Sequence, residues 1–150
     1  MINQISIKTK VGWISAQENK GKIYRIKFGK TKKQKKSKIL NKFKKSLVNF
    51  LNHKTKEIKV PHSISGNDMQ KKTWNLMKKV KKGQTLSYGE LAKRLKITPR
   101  YVGKICAQNK LLLLIPCHRI IRGDGTLGGF TSIGGIKLKE KLLNLEKKFN

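Results

Sequence analysis

The chain has 150 residues, and 37% of them are hydrophobic, which suits one domain, or one domain with a small appended one, and excludes a disordered tail. Its longest apolar run, Leu111–Ile115, is far too short to span a bilayer, and the first residues lack the apolar run of a signal peptide, so we expect a cytoplasmic protein with no membrane partner. A formal charge of +30, from 37 basic and 7 acidic residues, favours a polyanionic partner, nucleic acid before anionic membrane, although a lysine-biased genome explains the excess equally well.

The N-terminal part of the chain predicts a small antiparallel sheet followed by one helix. Residues 5–30 show the alternation of half-buried strands, with Tyr24, Ile26 and Phe28 inward and a turn at Asn19–Lys20–Gly21. Apolar residues then recur every three or four positions from Ile39 to Leu51, as in an amphipathic helix. The segment from Lys54 to Gly66 has no period and is predicted to be a linker. We therefore predict two domains, residues 1–60 and residues 63–150.

The C-terminal part predicts mainly helices. Asn67 is placed to cap a helix that ends before Gly83. Ser87-x-x-Glu90 forms a capping box for a second helix, and Thr98-Pro99 begins a third after a four-residue turn. Two short helices joined in this way in a basic chain indicate a winged-helix-like helix-turn-helix, and an ordinary helical hairpin in a core is the open alternative. The predicted fold class is thus α+β.

The third of these helices has a distinct outer face. Val102, Ile105 and Cys106 fall on its inward stripe, where Cys106 is expected to be a small buried hydrophobe. The opposite stripe carries residues that can contact phosphates or bases or fill a gap in a base stack: Arg100 at the exposed start of the helix, then Tyr101, Lys104 and Gln108.

The stretch LLLLIPCHRII raises the question of chemistry, because Cys117 and His118 stand side by side in the most hydrophobic segment. A cysteine reacts as a thiolate, which requires a neighbouring base, a positive charge or a helix terminus. Glu146 borders the apolar stripe of the last helix and could orient the imidazole, which would complete a Cys–His–Glu site. The alternatives are a structural cysteine at Cys117 and a surface carboxylate at Glu146. The two cysteines and three scattered histidines form no convincing zinc site, and no cofactor is implied.

Several motifs together resemble the O6-alkylguanine-DNA alkyltransferases, also called methylated-DNA–protein-cysteine methyltransferases. "IPCHRII" is similar to their active-site signature, and "TLSYGELA", "RYVGKICAQN", "GTLGGF" and "LLNLE" follow in the family's order. The resemblance covers about residues 63 to 150, and the preceding residues are similar to the family's variable N-terminal domain.

The resemblance implies a DNA repair protein that takes an alkyl group from O6 of guanine, and from O4 of alkylthymine, onto its own cysteine and is not regenerated. It implies a monomer that flips the damaged base out of duplex DNA through the minor groove. The implied roles are Cys117 as acceptor, His118 and Glu146 as a water-linked relay, Asn109 and Tyr88 as pocket residues, Arg100 as the arginine finger, and Phe130 and Thr131 in the covering loop.

The chain also departs from the family pattern. Tyr101 stands where the family usually has a small residue, and Lys110 and Leu112 stand where it often has prolines, so the range of accepted alkyl groups stays open. Three rivals remain at this point: a non-catalytic lesion binder on the same fold, a helix-turn-helix regulator with an incidental cysteine, and a lysine-rich RNA-associated protein.

Overall fold

The computed structural model describes residues 2–128 and 134–147. The chain forms two compact units. The first consists of Met1–Ser65 and Lys110–Leu114, and the second of Gly66–Asn109 and Ile115–Asn150. The first unit thus takes in five residues that lie far beyond the predicted linker in sequence.

The first unit contains the predicted antiparallel sheet, in the order β1-β2-β3. Its strands are β1 (Asn3–Thr9), β2 (Gly12–Asn19) and β3 (Lys22–Phe28). The turn between β2 and β3 places Lys20 and Gly21 at φ values of 51° and 79°, as a tight hairpin turn requires. The predicted inward position of Tyr24 is wrong: Gln17 pairs with Arg25 and Glu18 with Ile23, so Tyr24 is the extra residue of a bulge. Ile23 is buried in its place.

Helix α1 (Lys38–Leu51) covers this sheet, as its apolar period predicts. The Ser37 hydroxyl caps it by accepting a hydrogen bond from the Leu40 N–H. Its inward face consists of five buried residues: Leu40, Phe43, Leu47, Phe50 and Leu51. The returning segment 110–114 lies along β3, where the Ile26 N–H donates to the Lys110 carbonyl (2.8 Å) and the Leu112 N–H donates to the Ile26 carbonyl (3.3 Å).

The second unit begins with α2 (Asp68–Met77), which starts at a complete capping box formed by Asn67 and Gln70. The helix ends at Met77, earlier than predicted, because the following N–H groups bond three residues back: Lys79 to Leu76 and Val80 to Met77. The Trp74 indole N–H donates to the carbonyl of Ile105 (3.2 Å) and so joins α2 to the core of this unit.

Two further helices follow, α3 (Tyr88–Leu95) and α4 (Pro99–Ala107), and they pack against each other. The Ser87 and Thr98 hydroxyls cap them as predicted, although only the Ser87 half of the predicted capping box forms, and Pro99 occupies the first turn of α4. The turn between them, residues 96–98, is one residue shorter than predicted, and Lys96 takes a left-handed conformation there.

The remaining elements hold the Cys117 region in place. A one-turn 3₁₀ helix (Cys117–Arg119) leads into β5 (Ile120–Ile121), which pairs in parallel with β4 (Leu86–Ser87). The last described helix is α5 (Gly135–Lys147). In the part of the chain that the structure describes, no helix combines the length and the apolar character needed to cross a bilayer.

The packing of α1 yields a stability prediction. Phe43 is fully buried, so Phe43→Ala should lower the free energy of unfolding by about 3–5 kcal/mol through lost burial and the cavity left behind. Val48 lies on the same helix with 39% of its surface exposed, and Val48→Ala should change it by less than about 0.5 kcal/mol. Urea unfolding followed by circular dichroism measures both, and similar losses would contradict the assigned faces of α1.

Candidate active site

The backbone around Cys117 is a tight turn, not an extended strand. Pro116 precedes the 3₁₀ helix, in which the Cys117 N–H donates to the Ile115 carbonyl (2.8 Å) and the Arg119 N–H donates to the Pro116 carbonyl (3.0 Å). The turn places three consecutive polar or reactive side chains, Cys117, His118 and Arg119, inside the protein. An extended chain would have sent alternate side chains to opposite faces.

Asn109 is the closest polar partner of the Cys117 thiol. Its side-chain amide donates to the Ile115 carbonyl (2.9 Å) and also points at Cys117 Sγ (3.3 Å). Burial raises the pKa of the Cys117 thiol, and the hydrogen bond from Asn109 and the positive charge of Lys139 only partly oppose that effect. The resting thiol is therefore protonated at neutral pH, and its reaction requires removal of the proton.

His118, Arg119 and Glu146 form a buried polar cluster. His118 Nε2 donates to Glu146 Oε2 (2.9 Å), and the Arg119 guanidinium grips the same carboxylate from two nitrogens at 2.8 and 2.9 Å. The remaining Arg119 contact runs from Nη1 to the Val80 carbonyl (2.8 Å). Glu146 is 1% exposed, so the alternative of a surface carboxylate is wrong.

Hydrogen bonds fix the charge of Glu146 in this cluster, and burial fixes that of His118. Burial would raise the pKa of Glu146, but the hydrogen bonds and charges of His118 and Arg119 outweigh it and lower that pKa to about 2. Burial lowers the pKa of His118 below its ordinary 6.5, although Glu146 opposes the shift. The carboxylate is thus ionised and the imidazole neutral at pH 7. Because Nε2 carries the proton given to Glu146, Nδ1 is the ring nitrogen that can accept one.

Lys139 is a second buried cation, and it lies beside Tyr88. Its ammonium donates to the Ile120 carbonyl (2.6 Å) and to the Tyr88 hydroxyl oxygen (3.4 Å), and it lies 5.6 Å from the centre of the Tyr88 ring. Burial lowers the pKa of Lys139 and raises that of Tyr88 to about 12. The Tyr88 hydroxyl accordingly keeps its proton at neutral pH and can donate it.

The short parallel pair β4–β5 explains why Tyr88 lies near the Cys117 turn. Ser87 in β4 is opposite Ile121 in β5, and Tyr88 is the first residue of α3 directly after it. Gly128 then packs against the tyrosine ring at φ 72°, and a Cβ at that position would lie 3.1 Å from the ring. Glycine is required there by both conformation and space.

An open cavity of about 530 Å³ lies in front of the thiol. It is lined by Cys117, Cys106, Tyr88, Arg100, Arg122 and parts of α3, α4 and the 121–128 segment. This volume falls in the usual range for small-molecule pockets and exceeds the needs of one purine base. Of the two cysteines, Cys117 receives the Asn109 hydrogen bond at its sulfur, whereas Cys106 contacts the Met77 sulfur (3.8 Å); burial raises the pKa of both thiols, that of Cys106 to about 12.

The predicted outer face of α4 is exposed. Tyr101 and Lys104 lie at the surface, Arg100 adjoins the cavity, and Gln108 accepts a hydrogen bond from Gln70 in α2 (2.8 Å). The predicted pocket residues Phe130 and Thr131 lie outside the described residues. Within residues 2–128 and 134–147, no group of three His, Cys, Asp or Glu side chains is placed to hold a metal ion.

The sequence analysis missed Arg119 and Lys139. Arg119 directly follows the Cys–His pair, and that adjacency was a usable signal. Lys139 precedes Glu146 by seven residues, about two helical turns, so both fall on the same face of α5. A lysine on the face that buries Leu138 and Leu142 was therefore the second signal.

Comparison with known proteins finds relatives, several of which share one name. The chain is 37% identical over 114 residues to a methylated-DNA--protein-cysteine methyltransferase of Saccharomyces cerevisiae, which covers 71% of this chain and 60% of the relative. It is 40% identical over 98 residues to a protein of the same name from Sulfolobus acidocaldarius, which covers 65% of this chain and 61% of the relative. The chain thus spans about three fifths of the length of these relatives.

Solved structures share the fold. A crystal structure of Mycobacterium tuberculosis OGT in complex with DNA superposes with a TM-score of 0.88 at 24% identity, over 98% of this chain and 94% of that one. An O6-methylguanine-DNA methyltransferase from Pyrococcus kodakaraensis gives a TM-score of 0.63 at 24% identity, over 95% and 98% of the two chains. These values confirm the predicted α+β fold class.

A family model completes the comparison. The model of the DNA-binding domain of 6-O-methylguanine DNA methyltransferase matches residues 68–148, a range that contains the Cys117 turn, the cavity-lining helices and all of α5. Because the match takes in more than half of the chain, the protein belongs to the 6-O-methylguanine DNA methyltransferase family.

Proposed function

We propose that this protein repairs DNA by transferring a methyl group from O6 of guanine, and from O4 of alkylthymine, to Cys117 without turnover. The observation that carries the proposal is the position of Cys117: its sulfur borders a cavity large enough for a purine and receives a hydrogen bond from Asn109, and His118, in the same turn, is hydrogen-bonded to Glu146 of α5. The function of a helix-turn-helix regulator does not require a cysteine, a histidine and a carboxylate arranged beside a cavity.

The residues around the cavity can account for each bond and proton in this reaction. Through an intervening water, His118 Nδ1 takes the thiol proton, and Glu146 stabilises the imidazolium that forms. The sulfur lone pair attacks the methyl carbon, a new S–C bond forms, and the electrons of the broken C–O bond return to the guanine. The Tyr88 hydroxyl donates a hydrogen bond to a ring nitrogen of the leaving base, and the proton taken up by His118 passes through water to that base, so no free guanine anion is released. The thioether is stable, which explains why one protein molecule repairs one lesion.

The partner in this proposal is double-stranded DNA, bound by a monomer through the exposed face of α4. Because the target atom lies inside the base stack, the nucleotide must turn out into the cavity. Arg100 adjoins both the cavity and the surface, so it is placed to fill the vacancy. A repair protein works where the cell keeps its DNA, so we expect it in the cytoplasm with the nucleoid, or in the nucleus of a eukaryote.

The identity of the acceptor is tested with both cysteines. Cys117→Ala should abolish transfer of a labelled methyl group from O6-methylguanine DNA while DNA binding is retained, because only the nucleophile is lost. Cys106→Ala is the matched control and should keep most of the transfer, and the native protein should stop at one methyl group per molecule. Turnover beyond that ratio, or loss of transfer in Cys106→Ala alone, would refute the mechanism. Binding without any transfer by the native protein would instead indicate a lesion-binding protein.

The relay is tested with His118→Gln, Glu146→Gln and the double variant. Each single change should slow single-turnover transfer about 100-fold or more, the usual contribution of a general base. The double variant should be no slower than the slower single variant, since both residues act through one proton path. Losses that multiply in the double variant would argue for two independent roles.

A pH profile accompanies these variants and separates a proton relay from damage to the fold. Because burial lowers the pKa of His118, the native rate should hold as the pH falls through 6.5, and should drop only below it as the imidazole becomes protonated. The same depressed pKa means that His118 favours the folded state above pH 6.5 and disfavours it as the pH falls further. The His118→Gln variant should lose the acid limb of the rate profile but keep its affinity for DNA.

The role of Arg100 is tested by comparing Arg100→Ala with Lys104→Ala, a control on the same exposed helix. Unstacking a base costs a few kcal/mol, and Arg100 is proposed to offset part of that free energy by filling the gap in the stack. Losing about 1.4 kcal/mol of this stabilisation in Arg100→Ala slows duplex repair about tenfold. Reaction with free O6-benzylguanine needs no base flipping and should hardly change. Equal losses on both substrates would mean damage to the pocket. A duplex-specific loss no larger than that of Lys104→Ala would mean general electrostatics.

A further inference from the structure

The basic residues of the first unit are concentrated in one acid-free stretch. Residues 19–56 contain fifteen lysines and arginines and no aspartate or glutamate, although the whole chain has seven acids. A genome-wide preference for lysine explains why lysine replaces arginine here. It does not explain why acidic residues are absent from the whole stretch, which forms β3, the following loop and α1.

Part of this stretch is a basic strap, residues 31–36, that is held firmly against the edge of the sheet. Gln4 in β1 exchanges both backbone hydrogen bonds with Lys35 (3.0 and 2.9 Å), and its side chain donates to the Lys33 carbonyl (2.9 Å). Ser6 adds contacts with Thr31 and Gln34. The four lysines of the strap, Lys32, Lys33, Lys35 and Lys36, are nevertheless all exposed. The strap therefore presents its charges from a fixed backbone.

The strap leads through Ser37 directly into a lysine ridge, which we define as Lys38, Lys42 and Lys45 on α1. These residues are spaced four and three apart, so they line up on the helix face opposite Leu40, Phe43 and Leu47, and all three are exposed. The first turn of α1 contains no acidic residue to favour the helix dipole. Like charges at this spacing slightly destabilise a helix, so the lysine ridge does not contribute to the stability of the fold.

We infer that the basic strap and the lysine ridge form a second DNA-binding surface, on the first unit, that contacts the phosphate backbone without reading sequence. The inference rests on the proposed function for the choice of DNA as the polyanion. Lysines on a firm backbone are suited to phosphate contacts, which position a protein on DNA and carry no base information. An anionic membrane fits less well, because the apolar face of α1 is buried in the core and cannot enter a bilayer.

The test is the salt dependence of binding to a short lesion-free duplex. Log affinity falls as log salt rises, and each phosphate contact contributes about 0.9 to the steepness of that fall. The triple variant Lys38→Gln, Lys42→Gln and Lys45→Gln should therefore make the fall shallower by about 2 to 3. At about 50 mM salt its affinity should fall about tenfold or more. Its thermal stability should equal or exceed that of the native protein, because like-charge repulsion on α1 is relieved, so weak binding cannot be attributed to misfolding.

The control removes the same charge elsewhere on the first unit, through Lys8→Gln, Lys10→Gln and Lys54→Gln, which are exposed residues outside the strap and the ridge. Equal losses in both triple variants would reduce the effect to net charge and overturn the inference. Binding to phosphatidylserine vesicles that depends on the ridge, with unchanged DNA binding, would overturn it in favour of a membrane.

Reaction with free O6-benzylguanine keeps this test separate from the proposed function. Both triple variants should react at the native rate, because neither touches the cavity. If the native protein reacts neither with free O6-benzylguanine nor with O6-methylguanine DNA, the proposed alkyl transfer is wrong, while the salt slopes still decide whether the ridge binds DNA.

Discussion

The pair of hydrogen bonds from Arg119 to the Glu146 carboxylate is the interaction on which the site depends. Glu146 is fully buried, and an isolated carboxylate there would be strongly destabilising. Two hydrogen bonds from Arg119 and one from His118 compensate for its lost hydration and keep it ionised. The same bonds connect α5 to the 3₁₀ turn, so the charge that orients the imidazole also holds the Cys117 turn in place. Removing either partner would leave the other buried and uncompensated.

This arrangement makes the thiol inert until it is needed. Burial keeps Cys117 protonated in the resting protein, which protects its thiol from oxidation and stray alkylating agents. The neutral imidazole of His118 can accept a proton at Nδ1 because Nε2 donates its hydrogen bond to Glu146. Lys139 adds positive charge near the sulfur and also donates a hydrogen bond to the Tyr88 hydroxyl oxygen, and burial keeps the proton on this hydroxyl. Burial thus keeps the Cys117 thiol and the Tyr88 hydroxyl protonated and His118 neutral, while His118 and Arg119 keep Glu146 ionised.

The sequence predicted the parts of the protein that depend on local patterns. Periodicity located the sheet and α1, and caps located the starts of α2, α3 and α4, since Asn67, Ser87 and Thr98 cap their helices through contacts only three residues away. The features that were missed depend on long-range contacts. The bulge at Tyr24 is set by pairing with β2, the β4–β5 pair is two residues long and joins distant segments, and residues 110–114 return to the first unit. The roles of Arg119 and Lys139 could not be read from composition, because a buried cation is distinguished from a surface one only by its partners.

The protonation of His118 can be observed directly by nitrogen NMR of the ring nitrogens, with the His118→Gln spectrum used to assign the signals among the three histidines. At neutral pH the signals should be those of a neutral ring with its proton on Nε2 and an unprotonated Nδ1. That result would show that the buried Glu146–Arg119 pair presents His118 as a proton acceptor. A doubly protonated ring, or a proton on Nδ1 with Nε2 bare, would contradict it, because His118 could then not take the Cys117 proton.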